Sequence, residues 1–141
     1  MNEQAIARVN KMLDAASMPN MVFSVLDEKG YPSGSLVGVT LKNGMKELYF
    51  GSNFESNKAK RVRANGKTSL CWGSDMFSIT LVGTTTFVDD LEIKKKNWRD
   101  EWAAMGWTGY DDPDYTIFKF TTERYSICLM DDETQVYGEL S

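Results

Sequence analysis

Asn43-Gly44 stands between two runs of strand-forming residues, 34–42 and 46–51, and it restricts the fold more than any other pair in the chain. Asn-Gly is favoured where two consecutive residues need positive φ, and such a turn matches the twist of antiparallel strands. A hairpin is therefore predicted here. Similar runs recur on both sides. Residues 21–27 precede a turn at Asp27-Glu28-Lys29-Gly30-Tyr31-Pro32, and runs at 68–74, 76–88, 114–121 and 124–130 come later. In 76–88, Phe77, Ile79 and Leu81 fall on one face, and Ser78 and Thr80 on the other. That is the two-residue period of a half-buried strand.

Three segments read as helices. Residues 3–17 place Ile6, Val9, Leu13 and Ala16 at three- and four-residue spacing, and Pro19 stops continuation. Residues 56–65 have Ser56 as the N-cap candidate and Asn65-Gly66 as the stop. Residues 90–104 carry Leu91, Trp98 and Trp102. Six or seven short strands in hairpin-like succession, with three helices, predict a mainly β fold: an antiparallel barrel with flanking helices. Residues 131–141 read as a polar tail. A chain of 141 residues is expected to form one domain, 1–141, burying roughly two thirds of its unfolded surface.

Composition narrows the chemistry. The chain has no histidine, which removes Ser–His and Cys–His nucleophile pairs, most zinc sites and His-ligated haem. No apolar run approaches the ~20 residues that span a bilayer, and the N-terminus lacks the pattern of a signal peptide. Cys71 and Cys128 are too few and too far apart for a disulfide framework or a zinc site. A cytoplasmic protein with reduced cysteines and no membrane association is expected. Asp111-Asp112-Pro113-Asp114 reads as a turn into a strand, because hard-cation sites need more ligands, more widely spaced; no metal is expected. Trp72, Trp98, Trp102 and Trp107 read as core or subunit-interface anchors. Trp107, in a Gly-flanked loop, is also a candidate to cover a ligand from the partner subunit.

One segment points to a ligand. Lys58, Lys60, Arg61, Arg63 and Lys67 cluster with no acid among them, in a chain of net charge -4. Immediately before them stand Ser52, Asn53, Ser56 and Asn57. Small hydroxyl and amide side chains leading into a helix start are what a phosphate monoester needs, since unpaired N–H groups, a positive dipole and a lysine converge there. The plainer alternative is a loop in which Ser56 caps a solvated helix. Residues 60–67 read as solvated face, while Lys58, at the second helical position, lies within reach of an anion. The acidic balance of the whole chain argues against nucleic acid as a partner.

The order of parts, a leading helix, a hairpin, Tyr49-Phe50-Gly51-Ser52-Asn53, and Glu55-Ser56-Asn57-Lys58 opening a helix, resembles the pyridoxamine 5′-phosphate oxidase-like FMN-binding split barrels. Within them it is most similar to the general stress protein 26 group, whose Asp-Pro-x-Tyr lead-in to the penultimate strand matches Asp112-Pro113-Asp114-Tyr115. The resemblance covers roughly residues 3–130. It implies a six- to seven-stranded split barrel, a homodimer with two sites at its interface, and FMN as cofactor. The family's phosphate motif lands on Gly51 to Lys58, so Ser52, Ser56 and Lys58 are implied phosphate contacts, with Asn57 where the family has arginine. The strand that lies along the isoalloxazine ring matches Ser35-Leu36-Val37, without its usual arginine, and Ser78 stands where glutamine is common. The extended C-terminal segment of true pyridoxamine phosphate oxidases has no counterpart, which implies a different reaction. The resemblance implies a flavin-dependent oxidoreductase acting on a small molecule. Alternatives are a non-catalytic flavin-binding or stress-related module, and a deazaflavin relative using the basic 58–67 stretch for a longer acidic tail. No catalytic acid or base is identified.

Overall fold

The structure is a computed structural model that describes residues 2–140. Helix α1 (Asn2–Ala15) leads into β1 (Asn20–Leu26), β2 (Pro32–Gly38), β3 (Leu41–Asn43) and β4 (Glu47–Asn53). Then come α2 (Asn57–Ala64), β5 (Lys67–Gly73), β6 (Phe77–Val88), α3 (Leu91–Asn97), a 3₁₀ helix (Asp100–Met105), β7 (Tyr115–Leu129) and β8 (Thr134–Glu139). All strands belong to one sheet of order β2-β1-β5-β6-β7-β4-β3, with β8 also on β7. Every ladder between these strands is antiparallel. This is the split barrel the sequence predicts, a half-closed antiparallel sheet with flanking helices.

The long strand β7 shapes it. β7 pairs with β6 along most of its length, with β4 from Tyr115 to Thr121, and with β8 from Arg124 to Leu129. A register shift at Val82/Gly83 separates the two halves. Bulges sharpen twist, so the sheet can turn there and serve two sets of neighbours. The interior is filled by Phe23, Phe50 and Phe118, with ring centroids 4.7 to 5.8 Å apart. Ala5, Val9 and Leu13 bury one stripe of α1 against this core, as their spacing requires.

The hairpin forms with a longer loop than Asn-Gly suggests. Asn43 pairs with Glu47, and only Gly44 of the dipeptide has positive φ, +55°. A Cβ on Gly44 would stand 2.9 Å from the Asn10 side chain, whose Oδ1 accepts the Met45 amide. Contact with α1 thus sets this turn.

Four other expectations change. The predicted strand 34–42 is two strands, because the Val39 amide bonds to the Pro19 carbonyl while the Thr40 amide bonds to the Tyr49 carbonyl. At that corner the chain leaves β1 for β4. The predicted helix 90–104 breaks at Trp98 and Arg99, both extended, into α3 and the 3₁₀ helix. The predicted strands 114–121 and 124–130 are the single strand β7. The expected polar tail contains β8, entered through Glu133 at φ 57°, with Val136 buried against the core. The count is therefore eight strands. No helix among the described residues is long and apolar enough to cross a membrane.

Candidate functional site

Strand β4 ends at Gly51-Ser52-Asn53, and the chain turns through Phe54 and Glu55 into α2. The turn is held from outside. The Phe54 amide donates to the Asp114 carbonyl at 2.7 Å, and the Arg63 guanidinium lies 4.0 Å from the Phe54 ring centre. Ser56 is the N-cap, as its residue type predicts: its Oγ accepts the Ala59 amide at 3.1 Å. That leaves the amides of Asn57 and Lys58 outside the helix's own ladder. Buried Ser52 places its Oγ 3.1 Å from that of Ser56. Ala59 and Val62 bury the other side of α2 against the core, which fixes the direction of its N-terminus. The helix stops at Asn65 in an extended conformation, without the left-handed cap.

The basic cluster divides by environment. Arg61 is engaged by Glu28 at 3.2 Å, and Arg63 lies over Phe54 and Phe87. Lys60 and Lys67 are exposed. Lys58 differs from all of these: it is partly buried, and among the described residues no carboxylate pairs with it. Burial holds its pKa below the ordinary lysine value.

Lys58, Ser52 and Ser56 open onto a cleft of about 410 Å³. Gly51 and Asn53 line it beside them, and so do Leu36, Val37 and Gly38 of β2 together with Met18 and Asn20. Gly51 lets Tyr115 pack closely on β4, since a Cβ there would meet the Tyr115 ring at 3.0 Å. Six of the nine residues singled out from the sequence thus meet in one place: Leu36, Val37, Gly51, Ser52, Ser56 and Lys58. Ser35 and Asn57 are exposed outside the cleft, and Ser78 lies on β6 opposite Gly73 and Cys128, also exposed.

Of the third wall only Trp107 was offered by the sequence, as a cover for a ligand of the partner subunit. Trp102, Met105 and Trp107 enter the cleft from the 3₁₀ helix and the loop after it. Trp107 thus reaches the cleft of its own chain. It packs 4.9 Å from Tyr115 and 6.3 Å from both Trp98 and Trp102. The Tyr115 hydroxyl accepts Asn97 Nδ2 at 2.8 Å, and burial pushes its pKa up to about 12. Asn97 in turn accepts from Thr40. Trp98 Nε1 donates to Asp100 at 3.2 Å. Trp107, only 8% exposed, has a buried Nε1–H with no acceptor among the described residues. Leaving such a donor unpaired costs about 1–3 kcal/mol. The Asp111–Asp114 stretch is the turn expected: Asp112 accepts the amides of Thr108 and Asp114, both at 2.9 Å, and these bonds lower its pKa.

Solved structures share this architecture. A Clostridium acetobutylicum protein related to general stress protein 26 of B. subtilis superimposes with a TM-score of 0.81 at 22% identity, covering 99% of this chain and 97% of that one. General stress protein 26 from Bacillus anthracis gives 0.75 at 17% identity, covering 97% of each chain. A heme binding protein from Mycobacterium smegmatis gives 0.71 at 16% identity, covering 94% of this chain and 57% of that one. No curated protein matches the chain by sequence. The model of the family described as pyridoxamine 5′-phosphate oxidase matches residues 11–128, a span running from α1 nearly to the end of β7 and containing the whole cleft. The chain belongs to the pyridoxamine 5′-phosphate oxidase family.

Proposed function

We propose that the cleft binds FMN and that the protein is a flavin-dependent oxidoreductase acting on a small molecule. The observation that carries this is Lys58, a partly buried ammonium without a carboxylate, beside two serine hydroxyls at a helix N-terminus. An anion with several acceptor oxygens fits that donor set. The ligand's phosphate is held by Ser52, Ser56 and Lys58. Its ring lies along Leu36 and Val37 of β2, and Trp102 and Trp107 keep water from it. Bound FMN supplies the electron chemistry. Ser35, Asn57 and Ser78 stand outside the cleft of one chain, which fits a site completed by a second copy.

The outer face of the sheet suits such a copy. Leu36, Val22, Cys71, Thr80, Ser126 and Tyr137 form one row across six strands through direct register partners. The row carries no charge, and Leu36 and Tyr137 are 71% and 79% exposed. Ser78 shares this face with Thr80. Light scattering of the purified protein should give twice the chain mass, and Tyr137→Arg should halve it.

A yellow protein with a flavin absorption band, releasing a compound of FMN mass on denaturation, is the expected result. A deazaflavin mass would reassign the cofactor. Lys58→Ala and Ser56→Ala should each weaken FMN binding by about tenfold or more, the worth of hydrogen bonds to a charged group. Unchanged affinity in both would defeat the phosphate assignment. A second reading, a non-catalytic flavin-binding module, is favoured by the lining itself, in which Lys58 is the only titratable side chain. Bleaching of the flavin band by NAD(P)H separates the two: a catalyst bleaches and a carrier does not.

A further inference from the structure

We propose that Asn97 is a positioning residue. It fixes the segment carrying Trp102, Met105 and Trp107 against the strands that line the cleft, and so governs binding of the flavin ring while leaving phosphate binding alone. This rests on the reading of the cleft as an FMN site. Among the described residues of α3 and the 3₁₀ helix, only Asn97 is buried, at 1% exposure. The residues that enter the cleft follow it. After the break at Trp98 and Arg99 come Trp102 and Met105, then Trp107 in the loop.

The Asn97 side chain is polar at both ends and uses both. Its Oδ1 accepts from Thr40 Oγ1, and its Nδ2 donates to the Tyr115 hydroxyl at 2.8 Å. Thr40 follows Gly38 of the cleft by two residues, and its amide bonds to the Tyr49 carbonyl of β4. Asn97 Nδ2 also stands 3.5 Å from where a Cβ on Gly51 would lie. Tyr115 is the ring on which Trp102 and Trp107 pack, at 6.1 and 4.9 Å. One amide therefore meets the corner leaving β2, the end of β4 and the base of the tryptophan group.

Packing alone does not account for an amide here. Apolar burial is non-directional, so a leucine in this place would hold the segment yet let it slide over the tyrosine. Burying an amide costs free energy unless it is hydrogen-bonded. Bonded on two sides, it admits one arrangement. Ser52, Ser56 and Lys58 need no such tie, because Ala59, Val62 and the Ser56 cap already hold the start of α2.

The test titrates FMN and inorganic phosphate into the native protein, Asn97→Leu, Thr40→Val and Thr40→Ser, each checked for folding by circular dichroism. Asn97→Leu should lose about tenfold in FMN affinity, the scale of coupling within one hydrogen-bond network, and keep its affinity for phosphate. Flavin bound to it should also fluoresce more strongly, because indoles held against the ring quench its emission. Thr40→Val should show the same two changes, and Thr40→Ser, which keeps the hydroxyl, neither. A purely structural role moves none of these readings in a variant that stays folded. Equal loss of FMN and phosphate, or native FMN affinity and fluorescence in folded Asn97→Leu, overturns the inference and leaves the FMN site standing. Should Asn97→Leu not fold, Thr40→Val decides, and native affinity and fluorescence there overturn it. A native protein that binds neither FMN nor phosphate overturns both readings.

Discussion

The molecule contains two aromatic clusters that differ in kind. Under α1, Phe23, Phe50 and Phe118 pack with no polar atom among their side chains, all fully buried. Beside the cleft, Trp98, Trp102, Trp107 and Tyr115 pack somewhat more loosely, with ring centroids 4.9 to 6.3 Å apart, and each carries a polar tip. The first cluster contributes burial alone, about 1.5–3 kcal/mol per side chain. The second spends part of its burial on hydrogen bonds, Tyr115 with Asn97 and Trp98 with Asp100, and leaves Trp107 without one. Stability selects the first kind of cluster. The second combines burial with fixed polar contacts at the edge of the cleft.

That division can be broken by substitution. Phe118→Ala should cost the most, about 3–5 kcal/mol, because it opens a cavity at the centre of the sheet; denaturant unfolding measures it. If the loss falls well below that, the three phenylalanines do not form the stabilising centre. Asn97→Leu should cost about 1–3 kcal/mol, since Thr40 and Tyr115 each lose a buried partner. It should also loosen the tryptophan wall, visible as a red-shifted fluorescence spectrum. Ser56→Ala should cost about 1 kcal/mol in stability through the lost cap, on top of its effect on affinity.

The smallest effect sharpens the comparison from the cleft side. Lys58 has a folded pKa below its unfolded value, so at neutral pH its charge disfavours the folded state. The sign follows: the unfolded chain binds the proton more readily, so the cost is complete below the folded pKa and is lost as the pH rises from the folded to the unfolded value. Lys58→Met should therefore raise the melting temperature of the ligand-free protein slightly while weakening FMN binding. In the native protein, FMN affinity should be flat near neutral pH and fall in the alkaline range as Lys58 loses its proton. A fall of the same size in Lys58→Met would assign it to another group.

Local chemistry was legible in the sequence, and changes of partner were not. Ser56 was readable as a cap because capping depends on residues three apart, and the same short segment brought Ser52 and Lys58 with it. The N-terminal helix followed from the spacing of Val9 and Leu13. By contrast, Val39 and Thr40 look like the middle of a strand, and only their partners, Pro19 and Tyr49, reveal a corner. Thr134-Gln135-Val136-Tyr137 alternates weakly and reads as tail until β7 offers its edge. Trp102, Met105 and Trp107 reach the cleft because the helix breaks at Trp98. Nothing local marks that break, since buried Asn97 acts through Thr40 and Tyr115, distant in the chain.

The contact between Ser52 and Ser56 sets a limit on what they can offer together. Two hydroxyls own two hydrogens, and at 3.1 Å one of these bridges the pair. Ser56 Oγ also receives the Ala59 amide, so its lone pairs are already partly spent. If Ser56 gives the bridging hydrogen, Ser52 keeps the free one; if Ser52 gives it, Ser56 does. In either state the pair presents a single hydrogen outward, and a half-turn of two C–O bonds moves it from one oxygen to the other. The pair is thus one donor with two addresses, able to follow a shifting acceptor without any movement of the backbone.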